Sequence, residues 1–234
     1  MIMKKLIAMS FLTATVMCTK AQVYVQGGLN LSNITNTKSG QTEDNNILPS
    51  FNAGIMSRFG ISEMFDLESG VLLTGKGSKA ETYFTSATND NYVKTKFNPL
   101  YIEIPLNAVV KIPLDTKSKS NIFANVGPYL AIGIAGKSKV DQKIIGFSSS
   151  SSTNIKFNND DPFTSKQEDA AYNKLKRFDY GFNLGGGVDF GKFMLKINYG
   201  LGLAKINSTE SNNTVDDKNK FRTISISAGI PLGR

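Results

Sequence analysis

The side chains that could do chemistry in this sequence are charged ones, because the usual catalytic groups are scarce. The 234 residues contain no histidine and one cysteine, Cys18. Without histidine the chain lacks the usual general base near neutral pH and the commonest metal ligand. Serine–histidine and cysteine–histidine catalysis are therefore impossible within this chain, which leaves only carboxylate chemistry open. We predict that the protein is not an enzyme and that it holds no metal and no cofactor.

One set of charged residues alternates with apolar residues along predicted strands. It has four basic and four acidic members, so it can neutralise itself: Arg58, Glu68, Lys76, Glu103, Lys111, Asp179, Asp189 and Lys196. Opposed charges are suited to a narrow interior because each can be paired there. We predict that they form a charge network inside a barrel. The network could be a structural filling of the lumen, or it could line a gated polar path or a small-ligand site.

The elements that would position these charges are strands, because apolar and polar residues alternate with period two along most of the chain. The clearest case is Phe178–Phe190, in which aromatic and aliphatic residues alternate with Asp, Asn and Gly. Proline cannot donate to a ladder, so residues 105, 128 and 231 would mark bulges or strand ends. The predicted strands are Val23–Leu31, Phe51–Ile61, Leu67–Lys76, Leu100–Lys111, Ile122–Ile134, Phe178–Phe190, Phe193–Leu203 and Arg222–Leu232.

Short and long connections alternate between these strands. The short ones lie near Ser62–Asp66, Pro113–Asn121 and Gly191-Lys192. The others are long, polar loops near Asn33–Pro49, Ser78–Lys96, Lys137–Lys176 and Asn207–Lys220. This alternation puts every long loop at one end of the sheet, which is typical of outer-membrane barrels. The sequence therefore predicts an all-β fold, an antiparallel up-and-down transmembrane β-barrel of about eight strands.

The apolar faces of the predicted strands are large and uniform, whereas the opposite faces mix glycine with charged residues. A membrane barrel places its apolar faces against lipid and accepts a polar lumen, while a soluble barrel does the reverse. We therefore favour the membrane barrel and keep two alternatives: a secreted soluble barrel that binds a small apolar ligand, and a narrow solute channel. Aromatic residues near strand ends could form interfacial girdles: Phe51, Phe59, Tyr101, Phe178, Phe190, Phe193 and Tyr199.

The N-terminal residues have the three-part layout of a secretory signal peptide. Two lysines precede the apolar run Leu6–Met17. Thr19 and Ala21 are the small residues at positions −3 and −1 before Gln22, as at a signal-peptide cleavage site. We predict a signal peptide at residues 1–21, a barrel domain at 22–234 and export to the outer membrane. The net charge of +8 is spread along the chain without a nucleic-acid-binding pattern. The expected partners are outer-membrane lipid, and envelope proteins or surface polymers, but not nucleic acid.

Several segments also resemble the PorT-like outer-membrane β-barrel family. The resemblance rests on Leu72–Gly77, Leu100–Leu106, Asn125–Leu130, Phe178–Gly181 and Asn198–Leu201, in that order. It implies an outer-membrane barrel without assigned chemistry, and a link to protein secretion for some members. Outer-membrane barrels often end in an aromatic residue used in assembly, whereas this sequence ends Ile230-Pro231-Leu232-Gly233-Arg234. The assembly signal therefore departs from the usual pattern.

Overall fold

The computed structural model describes residues 21–38, 41–44, 47–86, 89–114, 120–158, 174–206 and 219–232. The predicted signal peptide at residues 1–21 therefore lies almost entirely outside the described residues. The described part of the chain is built from strands: β1 (Ala21–Lys38), β2 (Gln41–Asp44), β3 (Leu48–Gly60), β4 (Phe65–Gly75), β5 (Ser78–Ser86), β6 (Asn89–Pro113), β7 (Asn121–Ile144), β8 (Phe147–Asn154), β9 (Lys156–Asn158), β10 (Lys174–Lys176), β11 (Phe178–Asp189), β12 (Met194–Gly202) and β13 (Lys220–Pro231).

Eight of these strands form a closed antiparallel ring in the order β1-β3-β4-β6-β7-β11-β12-β13. The ring closes where β1 pairs with β13, from Tyr24↔Pro231 to Thr35↔Lys220. Closure pairs the backbone groups of every ring strand on both sides, which a lipid environment requires. Each predicted strand overlaps one ring strand, although β1, β6 and β7 extend well beyond the predicted bounds at the long-loop end. The predicted eight-stranded barrel is therefore confirmed.

The short connections are confirmed, but the predicted long loops are partly wrong. In the loop expected at Asn33–Pro49, β1 continues to Lys38 and residues 41–44 form β2. In the loop expected at Ser78–Lys96, residues 78–86 form β5 and residues 89–96 begin β6, while residues 137–154 continue β7 and form β8. These segments are polar and largely solvated on both faces, so they lack the apolar alternation that marks a half-buried strand. The central part of the fourth expected loop, Asn207–Lys220, lies outside the described residues.

The extra strands form a sheet that projects beyond the barrel at the long-loop end, in the order β5-β6-β7-β8. It ends in a tight turn at Ile145-Gly146, where both residues have positive φ, 49° and 80°. From Ile134 to this turn the strand rises for about 35 Å at about 3.3 Å per residue. We call this sheet, residues 78–86, 89–98 and 136–154, the external sheet.

Pro105, Pro128 and Pro231 mark two kinds of irregularity, a strand end and a gap in a ladder. Pro231 is the last residue of β13, as predicted. Pro105 and Pro128 instead lie within β6 and β7, where the β6–β7 ladder lacks the two pairs between Pro105↔Tyr129 and Ala108↔Val126 without a register shift. The backbones approach closely at this gap: a Cβ on Gly127 would lie 2.0 Å from the Leu106 carbonyl oxygen, so only glycine fits.

The two surfaces of the ring differ as a membrane barrel requires. Aliphatic and aromatic side chains such as Ile104, Leu130, Leu184 and Ile197 are exposed on the outer surface, while Asn, Ser, Thr and charged side chains are buried inside. The prediction that Tyr101 belongs to an interfacial girdle is wrong. Tyr101 is 1% exposed and lies inside the barrel, because the odd-numbered residues of β6 face the lumen. The other predicted aromatic residues are exposed or half-buried.

Candidate functional site

Glu68 on β4 is the centre of a buried charge cluster near the short-turn end of the lumen. Its carboxylate pairs with Arg58 Nε at 2.8 Å and with the Lys196 ammonium, which reaches it from the opposite wall of the ring. It also accepts hydrogen bonds from the Tyr24 hydroxyl at 2.8 Å and from Asn107 Nδ2 at 3.1 Å. Four donors therefore hold one carboxylate that is 0% exposed. A buried charge needs such complete pairing to be tolerated.

Asp189 completes this set, which we call the lower charge cluster (Arg58, Glu68, Asp189 and Lys196). Asp189 Oδ2 lies 3.7 Å from Arg58 Nη1, and its Oδ1 accepts a hydrogen bond from the Gly191 amide in the β11–β12 turn. The Arg58 guanidinium lies 4.0 Å from the centre of the Phe123 ring. Nearer the short-turn opening, the Lys111 ammonium pairs with Asp66 at 2.7 Å.

A second set, the upper charge cluster, consists of Lys76, Glu103 and Asp179. Lys76 follows directly after β4, and its ammonium contacts Glu103 Oε2 at 2.8 Å and Asp179 Oδ2 at 2.9 Å. The Tyr129 hydroxyl donates to the same Asp179 oxygen at 3.1 Å, and the Lys76 ammonium lies 4.0 Å from the centre of the Tyr129 ring. The cluster connects the end of β4 with β6 and β11, so it also joins separate walls of the lumen.

Between the two clusters lies a small chamber of about 40 Å³, lined by polar groups that include Lys76 and Lys196 and by apolar side chains such as Met56 and Leu72. Side-chain amides are joined across its wall: Asn52 donates to Asn30 at 2.7 Å, and Asn30 donates to Thr74 at 2.8 Å. The oxygens of Gln26 and Asn107 are buried without a hydrogen-bond partner among the described protein atoms. A volume of this size holds only about three water molecules, which such oxygens could bind.

An apolar layer, the outer plug, lies above the upper charge cluster. Ile155, Leu175 and Ile206 come from segments that connect ring strands, and they pack against inward-facing residues of the barrel. Tyr101 makes edge-to-face contacts with Phe157 and Phe221, each with ring centres 5.6 Å apart. Backbone hydrogen bonds fix the layer to the rim: the Gly133 amide donates to the Arg177 carbonyl at 2.7 Å, and the Ile155 amide donates to Gly136 at 2.9 Å. The upper mouth is therefore covered by side chains.

All eight residues of the predicted charge network face the lumen. Seven are buried, and the Lys111 side chain is 22% exposed near the short-turn end. They do not form one network: the structure divides them into the lower cluster, the upper cluster and the separate Lys111–Asp66 pair. Among the side chains that the structure describes, two further buried charged residues were not predicted, Asp66 and Lys176. Asp66 continues the alternation of apolar and polar residues that begins at Leu67, so this pattern could have identified it. Lys176 follows a segment in which no such alternation is present.

The charged side chains of the barrel interior form ion pairs with one another. Each carboxylate of the two clusters is paired with an ammonium or guanidinium group. In the part of the chain that the structure describes, no group of three or more Asp, Glu, Cys or His side chains could hold a metal ion. The same part contains no helix long and apolar enough to cross a membrane.

This chain is similar to a known protein family and, in its fold, to several solved structures. A family model described as the outer membrane protein beta-barrel domain matches residues 17–208. Among solved structures, Ail, the attachment invasion locus protein of Yersinia pestis, is 14% identical, with 91% of this chain and 99% of that chain covered at a TM-score of 0.38. Neisserial surface protein A has the same identity, coverage and TM-score. No curated protein sequence matches this chain.

Proposed function

Since this chain belongs to the outer membrane protein beta-barrel domain family, we propose that it is a non-enzymatic outer-membrane barrel that presents its external sheet for contact with a partner. The partner would be an envelope protein or a surface polymer. The observation that carries this proposal is the external sheet itself, which extends well beyond the lipid-facing surface and continues directly from β6 and β7. Two ring strands that continue outside the barrel as one paired ladder make a rigid support for a contact surface.

The tip of the external sheet has the character of a contact site. Ile144, Ile145 and Phe147 are 47%, 70% and 83% exposed, and the turn lies far beyond the lipid-facing residues. Ile145 also has a φ of 49°, an unfavourable conformation for a β-branched residue. Apolar side chains exposed together at a distance from lipid favour a protein or polymer partner that would cover them.

The two alternatives fit the interior less well. A narrow solute channel needs a continuous path, but the lumen is crossed by two charge clusters and covered by the outer plug. Eight strands leave an interior just wide enough for side chains to fill. A secreted barrel that binds an apolar ligand needs a roomy apolar cavity, whereas the chamber described above holds only about 40 Å³ and mixes amides and charged groups with side chains such as Met56 and Leu72. We therefore propose a structural role for the charge clusters, in which they fill the lumen and connect its walls.

We also propose a cleaved signal peptide and a setting in protein secretion for this barrel. Residues 1–21 would be removed as a signal peptide, which would leave residues 22–234 as the barrel domain. The resemblance of segments such as Leu100–Leu106 to PorT-like proteins makes protein secretion one setting in which the external sheet could contact a partner.

Single cysteines test whether the external sheet faces the cell exterior. Cys18 lies in the proposed signal peptide, so the wild-type mature chain contains no thiol and serves as the unlabelled control. We expect Ser149→Cys, at an exposed position of β8, to react with a membrane-impermeant maleimide in intact cells. Lys192→Cys, in the β11–β12 turn, should react only after the outer membrane is permeabilised, because short turns are periplasmic. Labelling of Lys192→Cys but not Ser149→Cys in intact cells would exclude the proposal.

A further inference from the structure

The external sheet has one charged face and one uncharged face. Residues directly opposite each other in an antiparallel ladder share a face, so the register places Lys79, Lys96 and Lys139 side by side in one row. Among the described side chains, this basic face carries six lysines and two acids: Lys79, Lys94, Lys96, Lys137, Lys139, Lys143, Glu81 and Asp141. The opposite face carries uncharged residues such as Thr95, Phe97 and Val140 in its described part.

The basic face points away from the barrel axis. Phe97, on the uncharged face, packs against the outer plug, so the neighbouring even-numbered residues of β6 point outward. The β6–β7 ladder has a bulge at this level, where Leu100 pairs with Ala135 and Tyr101 pairs with Gly133. The extra residue reverses the inward–outward alternation of β7. Lys137 and Lys139 therefore share the outward surface with Lys96, rather than pointing towards the outer plug.

The basic face continues the lipid-facing surface without a break. Ile104, Ile102 and Leu100 follow each other on the outer side of β6, and Asn98 and Lys96 come next on the same side. On β7, Lys137 follows two positions after Ala135. At about 3.4 Å per residue, Lys96 and Lys137 lie within about 15 Å of the last lipid-facing aliphatic residues along their strands. The headgroup layer begins directly beyond the hydrocarbon core and is about 5–8 Å thick, and barrel strands are tilted by about 35–45°, so both lysines reach the outer part of this layer.

The positive charge of this face is only partly neutralised by the protein. Lys79 pairs with Glu81 at 3.4 Å and Lys139 pairs with Asp141 at 3.0 Å. Hydrogen bonds from Tyr83 and Ser150 lower the pKa values of Glu81 and Asp141, so both acids are ionised at neutral pH. Lys96 and Lys137 have no ion pair within 4.0 Å among the described residues. Like charges opposite each other destabilise a sheet. The two acids cannot neutralise six lysines, so the basic face keeps a surplus of positive charge.

We propose that the basic face of the external sheet binds phosphorylated lipid headgroups of the outer leaflet. Such headgroups lie beside the outward surface just beyond the hydrocarbon region, and their phosphates complement Lys79, Lys96, Lys137 and Lys139. A soluble anionic polymer would not need the basic face to adjoin the lipid-facing surface, whereas a lipid does. The inference requires an embedded barrel and does not depend on which partner contacts the tip of the sheet.

The test uses the mature chain folded in micelles of a neutral detergent and lipid A with two phosphates as the probe. Native mass spectrometry measures the affinity for lipid A and for its dephosphorylated form. A lysine near a charged lipid surface contributes about a factor of five, so the variant K96Q/K137Q/K139Q should bind phosphorylated lipid A at least about tenfold more weakly. The dephosphorylated form should bind both proteins weakly and equally.

The matched control is K117Q/K119Q/K192Q, which removes the same charge from the sequence between β6 and β7 and from the β11–β12 turn. It should change the affinity less than about twofold, and both variants should keep the heat-modifiable gel band of a folded barrel. Equal affinity of wild type and K96Q/K137Q/K139Q would overturn the proposal, as would an equal loss in the control. Heparin bound as tightly as lipid A, with the same dependence on these lysines, would assign the face to a soluble polymer and would also overturn it.

Discussion

Replacing Glu68 by glutamine is expected to lower the free energy of unfolding of the barrel by about 3–5 kcal/mol, because it leaves buried cations without their counterion. Arg58 Nε and the Lys196 ammonium both contact this carboxylate, which is 0% exposed. The remaining acid of the lower cluster, Asp189, is 3.7 Å from Arg58 and cannot replace it. Urea unfolding in phospholipid vesicles, followed by circular dichroism, measures the loss.

Two further variants separate lost pairing from a general effect of the substitution. Glu81→Gln makes the same change on the external sheet, and its unfolding midpoint should equal that of the wild type. The double variant Glu68→Gln/Lys196→Met removes one of the two buried cations that Glu68→Gln leaves without a counterion. It should therefore be more stable than Glu68→Gln alone. If Glu68→Gln unfolds at the wild-type midpoint, or if the double variant loses the sum of both single effects, the lower cluster does not hold the barrel walls together.

Lys76→Met is expected to be the second severe substitution, with a loss of about 3–5 kcal/mol for a broken buried pair. Its ammonium is the only group that the structure shows within 3 Å of both Glu103 and Asp179 among the described residues. Methionine fills a similar volume, so the loss should come from two uncompensated carboxylates rather than from a cavity. Urea unfolding in the same vesicles measures it.

The control for this substitution is Lys192→Met in the exposed β11–β12 turn, which should leave the unfolding midpoint unchanged. Lys76→Met/Asp179→Asn removes one of the repelling carboxylates and should recover part of the stability. A double variant less stable than Lys76→Met would mean that Asp179 acts through contacts other than its pair with Lys76, contrary to the arrangement of the upper charge cluster.

The barrel itself was predictable because its strands separate two environments. In Phe178–Phe190, one face must suit lipid and the other a narrow polar lumen, so the alternation is strict and identifies both the strand and its inner side. The same reasoning placed Glu68, Lys76 and Lys196 inside. It also included Tyr101 among the girdle residues, although its odd position in β6 assigns it to the lumen with Glu103.

The external sheet was not predictable in the same way. Ser148–Ser152 and Thr82–Phe84 are exposed at every position, so no alternation of burial distinguishes these strands from loops. The β-bulge opposite Tyr101 depends on pairing between distant segments, and it alone decides that Lys137 and Lys139 face outward. The division of the charges into two clusters is likewise set by register across the ring, since Glu68 and Lys196 meet from opposite walls.

Membrane fractionation of the mature protein, followed by gel migration with and without boiling, tests the central claim most directly. A closed barrel embedded in lipid predicts recovery in the outer membrane and a band that migrates faster before boiling than after it. Recovery in the soluble periplasmic fraction with no heat-dependent shift would contradict the claim, because the exposed aliphatic surface of the ring would then have no lipid to cover it.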